Sequence, residues 1–323
     1  MPAEPAPPPL QPGDRIALTG ATGFLGGYVM DALLAAGLQL TALARRPQPE
    51  RAGVRWVEGH INDQQALIEL VRDAHGLIHA AGIVQARRKV DFLVTNMGGT
   101  ARLALTASIA EAPVRRAILI SSLAAREPRL SAYAASKRAA EHIWHTLPEA
   151  TRSVIVRPPA IYGPGDTQVI KLIEAAQRGW LPAPAGRNAR FSLIHAADVA
   201  AATVALLTAH ELPEAPVELS DPTETGYSMD EVAGLIGARI GQRPRLIPLP
   251  RWLVRLAGLA NETAGLIRGR TVFFTHGKAR EVTHKDWVAQ APGNRAIHGW
   301  QPRIDLSAGL DTITDETTGQ KRP

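Results

Sequence analysis

A glycine-rich turn, GATGFLG, follows the apolar, strand-like run Arg15–Thr19 and limits the folds that this chain can adopt. Residues 24–36 have the apolar spacing of a helix, so the turn joins a strand to a helix. In such a turn Gly20 permits the tight bend, Gly23 the close approach of a ligand, and Gly26 the packing of helix on strand. A dinucleotide pyrophosphate binds at such a helix N-terminus, whereas a plain glycine-rich turn is the alternative. Because the turn lies in the first strand–helix unit of the chain, we favour the interpretation that it binds a dinucleotide cofactor.

The alternation of strands and helices continues to about residue 158. Strands separated by helices of this length imply right-handed crossovers, so we predict an α/β fold with a doubly wound parallel sheet, a Rossmann domain at residues 14–158. Further strands are predicted at residues 38–44, 54–57, 77–80, 117–120 and 154–156, and further helices at 64–72, 92–110 and 132–146. A smaller, proline-rich substrate-binding region follows at 159–314, part of which we expect to pack back on the Rossmann domain. Residues 1–13 are expected to form a disordered arm and 315–323 a flexible tail.

Composition excludes several classes of protein. A hydrophobic content of 45% with 20% charged residues argues against a mainly disordered, fibrous or membrane-embedded chain. The absence of cysteine excludes disulfides and a thiol nucleophile, and the ten histidines lack ligand spacing, so we expect no metal. The net charge of +6 suits an anionic partner, but there is no basic stripe with interleaved aromatic residues, so nucleic acid is not expected. Without a signal peptide or a membrane span, a cytoplasmic protein is expected.

Two arginines indicate which dinucleotide is bound. An NAD site places Asp or Glu at the end of the second strand, but there is no acidic residue between Ala32 and Pro49. The strand ends instead at Arg45 and Arg46, whose guanidinium groups suit a 2′-phosphate. The alternative is a solvated basic turn. We therefore predict NADP, with NAD possible.

Three residues form a candidate catalytic set. Tyr133 and Lys137 are four residues apart on a predicted helix, so they share one face. A nearby ammonium group is expected to lower the pKa of the phenol from about 10 toward neutrality, where it can exchange a proton with a substrate oxygen. Ser122 ends the preceding strand at the carboxyl edge of the sheet, where its hydroxyl could contact the same oxygen. Taken singly, Ser122 would be interpreted as a strand-end cap, Tyr133 as a half-buried aromatic residue and Lys137 as a solvated charge. Their combination after a dinucleotide-binding turn favours a catalytic role.

Together these motifs resemble the extended short-chain dehydrogenase/reductases, the NAD(P)-dependent epimerase/dehydratase superfamily, over residues 15–310. The pattern is most similar to the branch that contains 3β-hydroxysteroid dehydrogenases and dihydroflavonol-type reductases. The matching segments are TGATGFLG at 19–26, IHAA at 78–81, Asn96 with Gly99 and Thr100, Ser121 with Ser122, YAASK at 133–137, and RPPAIYGPGD at 157–166.

The resemblance implies specific roles for these residues. Tyr133 would be the acid/base, Lys137 its pKa modifier and a ligand of the nicotinamide ribose, and Ser122, rather than Ser121, the anchor of the substrate oxygen. Asn96 would support the site through water, and the helices that carry Asn96 and Tyr133 would form a homodimer. The implied cofactor contacts are Gly20, Thr22, Gly23, Phe24, Leu25, Gly26, Arg45, Arg46, His60, Ile61, Ala80, Ala81, Gly82, Tyr133, Lys137, Pro158 and Ala160.

Several differences from the sugar-nucleotide members of the superfamily argue against dehydration and sugar epimerisation as the reaction. Ser122 is followed by Leu-Ala instead of the Asp-Glu pair of dehydratases, the segment before Tyr133 is short, and Ala160 replaces a frequent asparagine. His60 stands where the family often has Asp, which leaves adenine recognition open. We therefore predict an NADP-dependent oxidoreductase that transfers a hydride between nicotinamide and a carbonyl or secondary alcohol of a small, apolar molecule. A sugar-nucleotide epimerase and a non-catalytic, cofactor-bound assembly or regulatory subunit remain the alternatives.

Residues 248–259 form an apolar segment with two arginines four residues apart. A buried helix of the substrate-binding region is the favoured interpretation. A lid over the substrate and a basic amphipathic helix at a membrane surface remain open, although membrane contact is not expected.

Overall fold

The computed structural model of the protein describes residues 7–112, 114–290 and 293–318. Its first part alternates strands and helices as the sequence predicts. The elements are β1 (Arg15–Thr19), α1 (Phe24–Ala35), β2 (Gln39–Ala44), β3 (Val54–Glu58), α2 (Gln64–Val71), β4 (Gly76–His79), α3 (Lys89–Phe92), a π-helical turn (Leu93–Met97), α4 (Gly98–Ser108), β5 (Arg116–Ile120), a 3₁₀ turn (Leu123–Arg126), α5 (Ala132–Trp144) and β6 (Arg152–Arg157).

The second part has shorter elements. They are β7 (Ala160–Tyr162), α6 (Thr167–Gln177), β8 (Trp180–Ala183), β9 (Arg190–Phe191), β10 (Leu193–His195), α7 (Ala196–Thr208), β11 (Val217–Glu218), β12 (Tyr227–Ser228), α8 (Met229–Ile240), β13 (Arg245–Pro248), α9 (Arg251–Ile267), α10 (His276–Val282), β14 (Asp286–Trp287), a 3₁₀ turn (Gly293–Ala296) and α11 (Leu306–Thr318).

Seven strands form one parallel sheet in the order β11-β6-β5-β4-β1-β2-β3. The predicted doubly wound sheet is therefore confirmed, and each of the six predicted strands is present within two residues of its expected ends. The seventh strand, β11, comes from the proline-rich half of the chain. Because all strands are parallel, their carboxyl ends meet at one edge, which is where such sheets bind ligands.

Hydrophobic cores lie on both faces of the sheet. One is formed with α1 and α7, and includes Val29, Leu33 and Leu206; the other is formed with α2, α4 and α5, and includes Leu67 and Trp144. A third core belongs to α6, α8 and α11 in the second part of the chain. Within the described residues, no helix combines the length and apolar character that a membrane-spanning segment needs.

The expected disordered arm is wrong for residues 7–13. Leu10 is only 2% exposed, because its side chain packs in the sheet core where Gly76 leaves room, and its N–H donates to the Leu207 carbonyl at 3.1 Å. Residues 1–6 of that arm lie outside the described residues. At the other end, α11 runs to Thr318, past the expected start of the flexible tail at residue 315, and residues 319–323 are also outside the described part.

Two predicted helices need correction. Residues 92–110 do not form one regular helix, because a π-helical turn at Leu93–Met97 separates α3 from α4. The segment 248–259 is helical from Arg251, but it is not a buried helix. Only Val254 and Gly258 of that segment's helical part are buried, and Trp252 is 67% exposed.

Candidate active site

The glycine turn brings two loops of the sheet edge into direct contact. Gly20 has φ +80°, and a Cβ there would lie 2.7 Å from the backbone of Ala80 and Ala81. A Cβ on Gly26 would lie 2.8 Å from the Gly20 carbonyl carbon, so α1 approaches the turn as closely as glycine allows. Gly23 is the N-cap of α1, without a side-chain cap or an acidic residue in the first turn. The N-terminal N–H groups of α1 are thus presented in the way that an anionic pyrophosphate requires.

The other predicted cofactor residues lie at the same edge of the sheet. Arg45 and Arg46 follow β2 and are exposed, and no ion pair of either guanidinium group is found within the described chain. His60 and Ile61 follow β3, with Ile61 packed against Gly99 of α4. Thr22 and Phe24 are exposed and Leu25 is half-buried, while Gly82 follows β4, and Pro158 and Ala160 follow β6. All of them therefore lie at or just beyond the carboxyl edge of the sheet, or in the first turn of α1.

A buried hydrogen-bond chain that the motif assignments did not include supports this edge of the sheet. Thr19 Oγ1 accepts from the Ala81 N–H at 3.2 Å and contacts His79 Nδ1 at 2.7 Å; His79 Nε2 contacts Thr100 Oγ1 at 2.9 Å. Because Thr100 Oγ1 donates to the Asn96 carbonyl, His79 must donate through Nε2 and accept through Nδ1. Burial, with Lys137 nearby, lowers the pKa of His79 to about 3, so the ring is neutral. His79 belongs to the IHAA segment at 78–81, so the sequence marked its position but not its hydrogen bonds.

Asn96 lies in the π-helical turn and is 2% exposed. Its amide Oδ1 accepts from the Ile83 N–H at 2.8 Å, and its Nδ2 donates to the Ile83 carbonyl at 3.1 Å and to Ser136 Oγ at 2.9 Å. Ser136 in turn donates to the Tyr133 carbonyl at 2.7 Å. Asn96 therefore joins the loop after β4 to α5, the helix that carries Tyr133 and Lys137.

Ser122 and Tyr133 line the same cavity, and Ser122 Oγ accepts from the Ala124 N–H at 3.2 Å. Burial raises the pKa of Tyr133 from 10.0 to about 12; the Ser122 hydroxyl opposes this rise and the Glu281 carboxylate adds to it. The expected lowering of this pKa by Lys137 is therefore not found. Burial also lowers the pKa of Lys137 to about 8, and its Nζ donates to the Ile120 carbonyl at 2.8 Å.

The two neighbouring serines have different surroundings. Ser121 is buried and donates to Glu141 Oε1 at 2.6 Å, whereas Ser122 lines the cavity. Glu141 accepts two further hydrogen bonds from Arg157, at 2.9 and 2.7 Å, and Arg157 also contacts Glu218 of β11 at 3.4 Å. This buried ion network fastens α5 to β6 and β11, so it holds the helix that carries Tyr133 in place.

Ser122 and Tyr133 open onto a cavity of about 510 Å³. Apolar side chains from both parts of the chain supply much of its wall, including Val84, Phe92, Ile161, Met229, Leu266 and Phe273. A polar group lies close to the tyrosine: Glu281 accepts from Ser131 and pairs with Lys278 Nζ at 2.9 Å. The glutamate and lysine lie three residues apart on α10, a segment that has no recognisable motif.

Comparison with known proteins agrees with this geometry. Ceramide reductase of Caulobacter vibrioides is 40% identical over 277 residues, 84% of this chain and 85% of the relative. The human epimerase family protein SDR39U1 with NADPH superposes with a TM-score of 0.70 at 22% identity, covering 93% of this chain and 99% of the other. Bordetella bronchiseptica WbmG with NAD gives 0.71 at 18% identity, covering 95% of each. These two structures support the fold.

The fold and site together define the class: this is an NAD(P)-dependent oxidoreductase of the extended short-chain dehydrogenase/reductase type. The chain belongs to the NAD dependent epimerase/dehydratase family, whose pattern matches residues 16–218. Its predicted family, enzyme class and use of a nicotinamide dinucleotide are confirmed. The proposed site roles, the choice between NADP and NAD, and the homodimer stay predictions.

Proposed function

We propose that the protein is an NADPH-dependent reductase that converts a ketone of a long-chain, ceramide-like lipid to a secondary alcohol. The observation that carries this proposal is the Ser122–Tyr133 pair at the wall of a cavity of about 510 Å³ with many apolar side chains. A cavity of this size accommodates a molecule larger than a simple ketone. The 40% identity with a ceramide reductase supports a lipid as the substrate.

Tyr133 suits the reductive direction. With a pKa near 12 its phenol is protonated at neutral pH, so it holds the proton that a developing alkoxide needs. Ser122 would supply a second hydrogen bond to the same oxygen. When bound, the cofactor supplies the hydride to the carbonyl carbon. The balanced products are a secondary alcohol and the oxidised cofactor, with Tyr133 reprotonated from solvent.

The residues of the sheet edge fit a dinucleotide. The uncapped first turn of α1 would bind the pyrophosphate, and the loop at Ala80–Gly82 would line the nicotinamide side. Arg45 and Arg46, exposed after β2, would pair with a 2′-phosphate, which is the basis for proposing NADPH over NADH. Lys137 would hold the ribose close to Tyr133.

A substrate panel followed by NADPH absorbance tests the proposal. Its members are a ceramide whose secondary hydroxyl is oxidised to a ketone, a short aliphatic ketone and a UDP-sugar. We expect the oxidised ceramide to give the highest kcat/KM. Conversion of the UDP-sugar to an epimer, detected by chromatography while the NADPH absorbance stays constant, would favour the epimerase alternative. Cofactor binding without turnover of any member would favour the non-catalytic subunit.

The adjacent serines provide a matched control for the mechanism. Ser122→Ala is expected to lower kcat by about 10²-fold, because it removes a hydrogen bond to the developing alkoxide. Ser121→Ala removes the contact with Glu141 and is expected mainly to lower stability, by about 1–2 kcal/mol. Tyr133→Phe should lower kcat by about 10²–10⁴-fold. Equal losses of kcat in the two serine variants would refute the assignment of Ser122.

A further inference from the structure

One face of α9 exposes several large apolar side chains. Trp252 is 67% exposed, Leu256 54%, Leu259 49%, Leu266 46% and Ile267 81%. Trp252, Leu256 and Leu259 are four and three residues apart, and Leu266 and Ile267 follow two turns later, so all five lie on one side of the helix, with Leu253 at its margin. We call these five residues the apolar stripe. Exposure of so many large apolar residues on one element marks an interaction surface.

The opposite face of α9 fixes the direction in which the stripe points. A Cβ on Gly258 would lie 2.7 Å from the Thr275 carbonyl and 2.8 Å from Ala279 Cβ, so α9 and α10 are in close backbone contact. Gly265 meets Val272 in the same way, at 2.8 Å. These contacts bury the glycine face, and a rotation of α9 that turned the stripe inward would break them. The stripe is therefore not an apolar face that closes over the cavity by rotation of α9.

The apolar stripe continues to the mouth of the cavity. Leu266 belongs both to the stripe and to the cavity wall. Two other exposed residues that line the cavity, Val84 and Phe273, extend the apolar surface beyond α9. A molecule that leaves an apolar phase at the stripe thus reaches Ser122 and Tyr133 along an apolar wall.

Cations surround this mouth. Arg87, Lys89 and Arg270 line the cavity, and Arg268 is exposed next to them; within residues 7–112, 114–290 and 293–318 none of the four forms an ion pair. The Arg87 guanidinium lies near the C-terminus of α9, since a Cβ on Gly269 would be 3.8 Å from its Nη2. The apolar surface is therefore rimmed by unpaired positive charge.

We propose that the apolar stripe and its cationic rim dock the enzyme on the surface of a bilayer that contains anionic phospholipid. A helix with a large apolar face, a tryptophan and flanking basic residues lies in the plane of the headgroups, and each nearby Lys or Arg adds attraction to anionic lipid. Docking places the cavity mouth at the lipid surface. The charge complementarity and the continuity with the cavity favour a bilayer over a second copy of this chain, whose rim would carry the same charge.

The absence of cysteine allows a direct test with single-cysteine probes. Leu259→Cys places an environment-sensitive fluorophore in the stripe, and Ile68→Cys places it on α2, where Ile68 is 40% exposed and far along the chain from the stripe. Vesicles of phosphatidylcholine with phosphatidylglycerol should shift the Leu259→Cys emission to the blue and leave Ile68→Cys unchanged. Phosphatidylcholine alone should give a much smaller shift.

Vesicle co-sedimentation of the full chain provides the second measurement. Trp252→Glu/Leu256→Glu should weaken binding to anionic vesicles by about tenfold or more, because two large apolar groups no longer enter the lipid. Ile68→Glu should bind as the wild type does, and circular dichroism verifies that each variant is folded. Binding that is unchanged in the double variant, or no binding by the wild type, would overturn the proposal. So would a concentration-dependent dimer that the double variant abolishes while vesicles bind nothing.

This test needs neither cofactor nor substrate. Failure of docking therefore leaves the proposed reductase activity intact, and failure of the substrate panel leaves the docking surface intact.

Discussion

Replacement of Lys137 by methionine tests the electrostatics of the site, because the two side chains have similar length. Burial lowers the pKa of Lys137 from 10.5 to about 8. A difference of one pKa unit corresponds to about 1.4 kcal/mol, so burial of the charged ammonium group costs about 3 kcal/mol of folding free energy at pH 7. The variant loses the hydrogen bond from Nζ to the Ile120 carbonyl and leaves that carbonyl without this donor, which costs about 1–2 kcal/mol. We expect Lys137→Met to be more stable than the wild type by about 1–2 kcal/mol at pH 7.

The pH dependence gives the same prediction a second test. Between pH 8 and 10.5 the folded protein has released the Lys137 proton while the unfolded chain still holds it, so wild-type stability rises with pH in this window. Below pH 8 both states are protonated and the cost of the buried charge is fully present. Lys137→Met lacks this rise, so its advantage at pH 7 should become a deficit by about pH 10.5.

Urea unfolding of the cofactor-free protein at pH 7 and at pH 10 measures the difference. Lys171→Met, at an exposed position of α6, is the control for removal of one lysine charge and should follow the wild type at both pH values. The reductase activity of Lys137→Met should be lost although the fold is stabilised. A Lys137→Met variant less stable than the wild type at pH 7, with an unchanged pH response, would refute the reasoning.

Three further variants test other parts of the site. In Gly26→Ala the new Cβ would lie 2.8 Å from the Gly20 carbonyl carbon, so the turn must shift. NADPH affinity, measured by titration, should therefore fall by about tenfold or more. The control is Gly27→Ala, where a Cβ meets no atom within 4 Å, and this variant should bind NADPH as the wild type does. Arg45→Ala/Arg46→Ala should lose the preference for NADPH over NADH, and equal affinities in the wild type would contradict the assignment. Glu281→Gln removes a charge that raises the pKa of Tyr133, so the alkaline limb of kcat/KM should move to lower pH; an unmoved limb would exclude this coupling.

The Rossmann sheet could be predicted because its determinants are local. Buried parallel strands are short apolar runs, and the helices between them have a clear period, so six strands were identified within two residues of their observed ends. The seventh strand, β11, has only two residues and takes its partner from β6, about sixty residues earlier. A pair this short carries no sequence pattern of its own.

The candidate site was predictable where its residues belong to motifs, and much less where tertiary contacts decide. The positions of Ser122, Tyr133 and Lys137 near the carboxyl end of β5 followed from their motifs, but the direction of the Tyr133 pKa shift did not, because burial and Glu281 outweigh the opposing effect of the Ser122 hydroxyl. Glu281 is about 150 residues away in sequence and reaches the site only through the packing of α10. Long-range burial of this kind cannot be derived from the spacing of charged residues.

Helix α9 shows how an apolar pattern can mislead about which face is buried. Large apolar residues suggested a buried helix, yet the face that packs is built around Gly258 and Gly265, seven residues apart, because only residues without a Cβ let α9 approach α10 and the loop before it so closely. The large residues lie on the opposite side of α9. A helix that packs against neighbours on one side only can bury one of its two faces, and here it buries the glycine face. The glycine spacing was the sequence signal for the buried face, and the packing of that face leaves Trp252, Leu256 and Leu259 exposed.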